Sequence, residues 1–220
     1  LTDRDEQEVR GYREALSWLH ESHRSLPVSL DTILRLHFLS HGQTGDAGQF
    51  KTTDSDIVEK YPDGRSRVRF KTVPAEHTVA RMGEFVRQWQ DCLREQWAPP
   101  LIALASSNLD FLCIHPFRDG NGRVSRLLML LMLYHLGFEI GHYISIEGRI
   151  EQDKERYYET LEHSSAGWHD GRNDPWPYTN FVLTTLKGAY RELEEQVEQT
   201  RSPRGAKSEL VRAAILAQAG

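Results

Sequence analysis

The chain has 220 residues, 39% of them hydrophobic, and a formal net charge of −5. These values suit one good-sized globular domain with a small appendage, and they argue against general nucleic-acid binding by the whole chain. Its two cysteines, Cys92 and Cys113, show neither metal nor redox spacing, no apolar run reaches membrane-spanning length and no signal peptide is visible, so a reduced cytoplasmic protein without a membrane partner is expected.

The chain begins at Leu1 rather than Met, as a trimmed fragment would. Its first helix is expected from Asp5 to His23, with Val9, Tyr12, Ala15, Leu16 and Leu19 on one face. His20 and His23 resemble a metal pair, but no third ligand lies near them in sequence, so they read as part of a solvated face. Pro27 and Ser29 lead into a second helix whose core side holds Leu30, Ile33, Leu34 and the run from Leu36 to Leu39, with Ser29 or Asp31 as its cap. His37 is expected to be packed there.

From His41 to Lys51 the composition turns to Gly, Asp and Thr, which reads as a loop. The one convincing β signal follows: Asp56 to Lys60 and Arg67 to Lys71 flank a turn from Tyr61 to Arg65, and Val68 and Phe70 alternate with basic residues. A hairpin in an otherwise helical chain belongs on the surface, and its plainest reading is a decorative loop. Val79 to Trp97 reads as an amphipathic helix, and Pro99 and Pro100 start the next one. The apolar runs Leu101 to Ile114 and Leu127 to Leu136 should be the buried centre of a bundle, the second ending at a Gly137 cap. A helix from about Gln152 to His163 carries Tyr157 and Tyr158; adjacent positions point in different directions, so either one tyrosine faces a cleft or both pack. Trp176, Pro177, Tyr178, Phe181 and Leu183 open the last helix of the domain. An acidic helical stretch from Glu192 to Glu198, a break at Ser202 to Gly205 and a short apolar helix from Leu210 to Ala219 complete the chain.

Between the two central helices lies the stretch His115 to Arg126, His-Pro-Phe-Arg-Asp-Gly-Asn-Gly-Arg-Val-Ser-Arg. Pro116 disfavours helical geometry at His115, so the preceding helix should stop there. The amides of Gly120, Asn121 and Gly122 open the following helix, where unpaired N–H groups and the dipole make an anion site. Arg123 and Arg126 share one face of that turn; two cations oppose the dipole unless phosphate supplies countercharge. Asp119 suits a Mg²⁺ ion bridging phosphate oxygens, and His115, titrating near neutrality, is the candidate general base. Phe117 reads as an apolar anchor. Glycines alone would mark only a turn, but the full pattern is expected by chance in on the order of one window in 10^10.

This stretch resembles the signature of the Fic domain, His-x-Phe-x-Asp/Glu-Gly-Asn-Gly-Arg-x-x-Arg, at every fixed position. The resemblance implies transfer of AMP from ATP to a Tyr, Thr or Ser hydroxyl of a target protein, with release of pyrophosphate. It implies that His115 deprotonates the hydroxyl, that Asp119 holds Mg²⁺, that Gly120, Asn121 and Gly122 form the anion hole, and that Arg123 and Arg126 reach the outer phosphates. Gly122 stands where a kinase branch has Lys. Tyr157 and Tyr158 match a tyrosine pair beside the adenosine, and Ser165 stands where some members place a nucleotide-contacting Asn. Residues Val68, Arg69, Phe70 and Lys71 match a flap that docks the target segment by strand addition, and the stretch Ala47 to Lys51 resembles the one that precedes it. The expected fold class is all-α, a Fic-type helical bundle with a small β-hairpin flap. The Fic domain is expected over residues 1–197, with its core at about 28–186 and flap at about 56–71, and 198–220 as a linker and the start of a winged-helix appendage.

Many Fic proteins carry an inhibitory helix, Ser/Thr-x-x-x-Glu-Gly/Asn, whose glutamate pairs with the last motif arginine. Thr2 to Glu6 fits five positions, but Gln7 fails the sixth and the placement differs, so the match reads as coincidence and Arg126 is expected to be free. Two alternatives to transfer stand beside it: removal of AMP from a modified protein, which lacks its glutamate here, and a nucleotide-sensing regulator with a DNA-binding appendage, which has no need of His115. Expected partners are ATP and an unidentified target protein, with self-modification and a homodimer left open, and nucleic acid only through a winged helix.

Overall fold

The computed structural model describes residues 3–42, 45–61, 63–96 and 98–201. The break at Ser202 to Gly205, the helix expected at Leu210 to Ala219 and Thr2 lie outside them. The described residues form eight α-helices and one hairpin, an all-α bundle with a small β flap: α1 (Asp3–Ser22), α2 (Leu30–His41), β1 (Ile57–Lys60), β2 (Ser66–Phe70), α3 (Ala75–Glu95), α4 (Pro100–Ile114), α5 (Asn121–His135), α6 (Ile146–Gln152), α7 (Lys154–Ser165) and α8 (Trp176–Arg201).

The two apolar segments flanking the motif are the centre. In α5, Leu127, Leu128, Leu131, Met132 and Leu133 are fully buried, and in α4 so are Leu104, Ala105 and Phe111. Each such Leu contributes roughly 2 kcal/mol of apolar burial. The two helices pack on each other; α3 and α8 cover α4, while α2 and α1 cover α5. Of the two caps proposed for α2, Ser29 serves: its hydroxyl accepts the Thr32 amide at 3.2 Å. Proline at the first position of α4 fits its missing N–H. Past the end of α5, the Phe138 and Gly137 amides bond back to the Leu133 and Tyr134 carbonyls, closing the helix in a Schellman motif.

Three features depart from expectation. A short helix, α6, and a 3-10 turn at Glu139–His142 fill the segment between α5 and α7, where polar spacing gave no helical period. A second 3-10 turn spans Trp168–Asp170. The last helix, by contrast, runs from Trp176 through the acidic stretch, as its helical reading expected, to Arg201. His23, expected on a solvated face, is only 9% exposed, because the 3-10 turn and Tyr134 close over the end of α1.

The strands pair antiparallel, Val58 opposite Val68 and Ile57 opposite Phe70, with a bulge between Ile57 and Val58. The hairpin is tied to the bundle rather than loose. Arg67 reaches Glu162 of α7 at 3.0 Å, and His169 Nε2 donates to the Lys71 carbonyl at 2.7 Å.

Candidate active site

α4 stops where Pro116 demands. His115 takes the left-handed conformation (φ 53°, ψ 61°), and its amide still bonds the Phe111 carbonyl. Its Nδ1–H donates to the Leu112 carbonyl at 3.3 Å, which leaves Nε2 as the nitrogen with a lone pair. Burial is the main reason its imidazole is depressed to about 4, and the Lys51 charge adds to it, against the opposing pull of the Leu112 hydrogen bond and Asp119.

The loop is then folded back on itself. Asn121 is almost fully buried, its side chain accepting the Phe117 amide at 2.9 Å and donating to the Phe117 carbonyl at 2.7 Å. That pair uses up the Asn121 side chain as a strut, so only its amide remains for a ligand. Phe117 is fully buried against His37, rings stacked 3.9 Å apart at 9°. His37 Nδ1 accepts the Gly48 amide, so its Nε2 carries the proton and donates to the Asp119 carbonyl at 3.1 Å. One packed imidazole therefore fixes the height of the loop over α2.

At Gly120 the chain turns through φ 81°, a left-handed conformation that a side chain resists. Among the described residues no side chain caps α5, and no acidic residue lies in its first turn. The opening amides, Asn121 to Arg123, thus have neither an intrahelical partner nor a carboxylate lid, which is the construction of an anion cradle. Asp119 lies just outside it, about half exposed, with Oδ1 accepting the Gly120 amide at 2.7 Å and Oδ2 3.9 Å from Arg123.

The two arginines are not uncompensated, contrary to the sequence expectation. Arg123 meets Glu8 of α1 at 3.1 Å and the Ser40 carbonyl at 3.2 Å. Arg126 pairs with Glu147 of α6, Nε to Oε1 at 2.9 Å, and so is not free. Both carboxylates come from elements distant in sequence, which local charge counting cannot see. Tyr12 joins the second pair; burial first, then Glu147, pushes its hydroxyl far above the ordinary value.

One cavity of about 200 Å³ gathers His115, Gly122, Arg126, Tyr157, Tyr158, Ser165, Arg69 and Phe70. Tyr157 is packed at 4% exposure while Tyr158 is 44% exposed, their rings edge-on at 5.2 Å, so the adjacent pair divides between core and cleft. The flap supplies a wall: the Arg69 guanidinium lies over the Tyr158 ring at 5.5 Å, and Phe70 stacks on His169. Ser165 turns its hydroxyl to the Glu162 carbonyl at 3.2 Å. Val68, Lys71, Asp119, Gly120, Asn121 and Arg123 are not in that wall. Arg123 instead lines a more open groove with Glu8, Tyr12 and Glu147, and Arg126 borders both spaces. Sequence reasoning missed Glu8 and Glu147 as partners. It quoted Lys51 without a role: its ammonium is buried, bonded to Thr72 Oγ1 at 2.7 Å, and its amide holds the Pro116 carbonyl at 2.9 Å.

A model of the Fic/DOC family matches residues 27–133. Over 179 residues the chain is 28% identical to "Protein adenylyltransferase Fic" of Nematostella vectensis, covering 80% of this chain and 36% of that protein. It is also 28% identical over 184 residues to "Protein adenylyltransferase fic-1" of Caenorhabditis elegans, covering 81% and 32%. The chain thus spans about a third of the length of these curated relatives. Among solved structures, a Fic family protein from Desulfovibrio desulfuricans G20 superposes with a TM-score of 0.70 at 25% identity, covering 89% of this chain and 55% of that one. Fic-1 from C. elegans, residues 134–508, shares the fold at a TM-score of 0.67 and 22% identity, over 90% and 54%. Together with the motif loop between α4 and α5, these matches make residues 27–133 similar in sequence to the Fic/DOC family, and the described bundle similar in fold to solved Fic proteins.

Proposed function

We propose that this chain is a protein adenylyltransferase that moves the AMP moiety of ATP to a hydroxyl side chain of a target protein. The hydroxyl oxygen bonds to the α-phosphorus, the bond from that phosphorus to the β-phosphate bridging oxygen breaks, and pyrophosphate leaves. The hydroxyl proton passes to Nε2 of His115. The observation that carries this reading is the tautomer: Leu112 occupies Nδ1, so His115 brings an unprotonated Nε2 to a cavity it shares with Gly122 and Arg126.

The other residues divide the work of positioning. The amides of Asn121 and Gly122 suit the phosphates, with Gly120, whose own amide Asp119 holds, turning the loop into the helix; Arg123 and Arg126 suit the outer phosphates, and Tyr157, Tyr158 and Ser165 suit the nucleoside. Asp119, half exposed at the open helix end, fits Mg²⁺ as a single carboxylate ligand completed by phosphate oxygens, and a bound ion would neutralise charge on those oxygens. The flap residues Val68, Arg69, Phe70 and Lys71 would align the target segment by strand pairing. Residues 1–197 are the domain in this reading, with 198–220 as an appendage.

Incubation with Mg²⁺ and ATP labelled at the α-phosphate tests the proposal. Label on protein, lost in His115→Ala, supports transfer; bound but unreacted ATP with no protein label in any target extract overturns it. Glu147 on Arg126 favours a second reading, removal of AMP with that carboxylate positioning water, and release of label from a pre-modified target identifies it.

A further inference from the structure

The end of α5 remote from the phosphate loop carries a second cluster, about 20 Å away along the helix by its rise per residue. We propose that His23, His142 and Glu139 bind a divalent transition-metal ion of the zinc class, which clamps α1 to the 3-10 turn after α5. Their nearest donor atoms, one from each, already lie within 4.8 Å of one another.

His23 is the fixed ligand. Its Nδ1–H donates to the His20 carbonyl at 2.9 Å, so Nε2 carries a bare lone pair. That Nε2 is buried with no hydrogen-bond partner among the described residues, on a residue 9% exposed. Buried polar atoms are otherwise paired in the great majority of cases. An imidazole held through one nitrogen by a backbone carbonyl, with the other directed at a group of donors, is the usual arrangement of a metal-bound histidine.

The other two ligands are placed and yet adjustable. His142 stacks on the Tyr134 ring at 4.6 Å and 8°, and its Nε2 is 2.9 Å from Glu139 Oε2. Gly141 permits this approach, because a side chain there would collide with Leu130 and crowd the Tyr134 hydroxyl. Bonds of about 2.0–2.1 Å require tetrahedral donors roughly 3.3 Å apart. The remaining closure falls to His142 and Glu139, whose side chains are 29% and 48% exposed and can rotate. Water or His20, whose ring is 4.8 Å from that of His142, completes the set. Two imidazoles and one carboxylate select Zn²⁺, Co²⁺, Ni²⁺ or Cu²⁺ over Mg²⁺ and Ca²⁺, which take oxygen. The site is therefore distinct in chemistry and place from Asp119. His20 and His23 looked like an incomplete pair in sequence, and the fold brings the missing ligands from more than a hundred residues away.

The test uses the full chain, untagged and stripped with EDTA, titrated with Co²⁺. One Co²⁺ per chain with the visible bands of tetrahedral coordination, displaced by Zn²⁺, is expected, with a higher unfolding midpoint in Zn²⁺ than in EDTA. His142→Ala should weaken binding by about 100-fold and Glu139→Gln by about 10-fold, while His163→Ala, on the exposed face of α7, leaves it unchanged. Both test positions are exposed, and unfolding in EDTA verifies that each variant is folded. The absence of tetrahedral bands overturns the proposal, as does binding by His142→Ala and Glu139→Gln equal to that of the parent.

Discussion

Glu147, in the first turn of α6, holds the guanidinium of Arg126 through both Nε and a terminal nitrogen, each 2.9 Å from the same carboxylate oxygen. The pair is 23% and 33% exposed, and it occupies the cation that the proposed function assigns to the outer phosphates. Under that proposal, ATP would compete with a carboxylate that is already in place.

Glu147→Gln should release Arg126 and tighten ATP. A pair this accessible is worth at most about 1 kcal/mol, so the KM for ATP should fall by about 2- to 5-fold. Steady-state transfer or calorimetric binding measures it. A rise in KM would mean that Glu147 supports the nucleotide site instead of blocking it.

His115 makes a pH prediction. With the imidazole held near 4 by burial, the unliganded protein keeps a neutral imidazole, the proposed base, well below pH 6.5. The kcat/KM for transfer should be flat between about pH 8 and 5.5, and His115→Ala should lose at least about 100-fold throughout. An inflection near 6.5 would contradict the burial argument. Stability follows the same sign. The unfolded chain binds more protons between about 6.5 and 4, so stability is full above 6.5 and falls as the pH drops to 4. His37, also depressed to about 4 by burial, adds to that loss, and His37→Gln should make the acid limb of the unfolding profile shallower.

Lys51 sets part of that value. Burial brings its ammonium down to about 8, with Asp54 and Asp56 pulling the other way, and its charge pushes His115 lower. Lys51→Met should raise the His115 value toward 6.5 and move the acidic limb of kcat/KM upward with it. Stability should change by less than about 1 kcal/mol at pH 7, since an apolar replacement removes a buried charge along with its bond to Thr72, whose hydroxyl keeps the Ser55 carbonyl. Above pH 8 the parent should gain stability as pH rises toward 10.5, because there the unfolded chain holds the extra proton, and the variant should not. Titrations of both proteins by chemical unfolding give the comparison.

How far the sequence foretold these relationships depends on their range. The end of α4 at Ile114, the turn at Gly120 and the burial of α5 follow from proline, glycine and apolar spacing within a dozen residues, and all were legible. The hairpin was legible because alternation has a period of two, although its ties to Glu162 and His169 were not. What escaped was pairing across sequence distance. Asp119 rests on His37, 82 positions earlier; Arg123 meets Glu8 and Arg126 meets Glu147. Each is one side chain opposite another on packed helices, a relation fixed by three-dimensional packing with no periodic trace. The misreading of His23 as solvated has the same origin, since His142 covers it only after the chain has run through four further helices and the hairpin.

The tyrosine pair offers the sharpest separation of fold from function. Tyr157 packs against Tyr178 and Phe181 at 4% exposure, whereas Tyr158 presents an open ring beneath Arg69. Tyr157→Ala should cost about 3–4 kcal/mol of stability through the cavity it leaves. Tyr158→Ala should cost under about 1 kcal/mol of stability but weaken ATP by about 10-fold, the worth of a lost aromatic contact. Thermal unfolding and nucleotide binding, measured on both variants, distinguish the two. If Tyr158→Ala binds ATP as the parent does, the nucleoside does not rest on this ring, and the cavity beside His115 serves some other group.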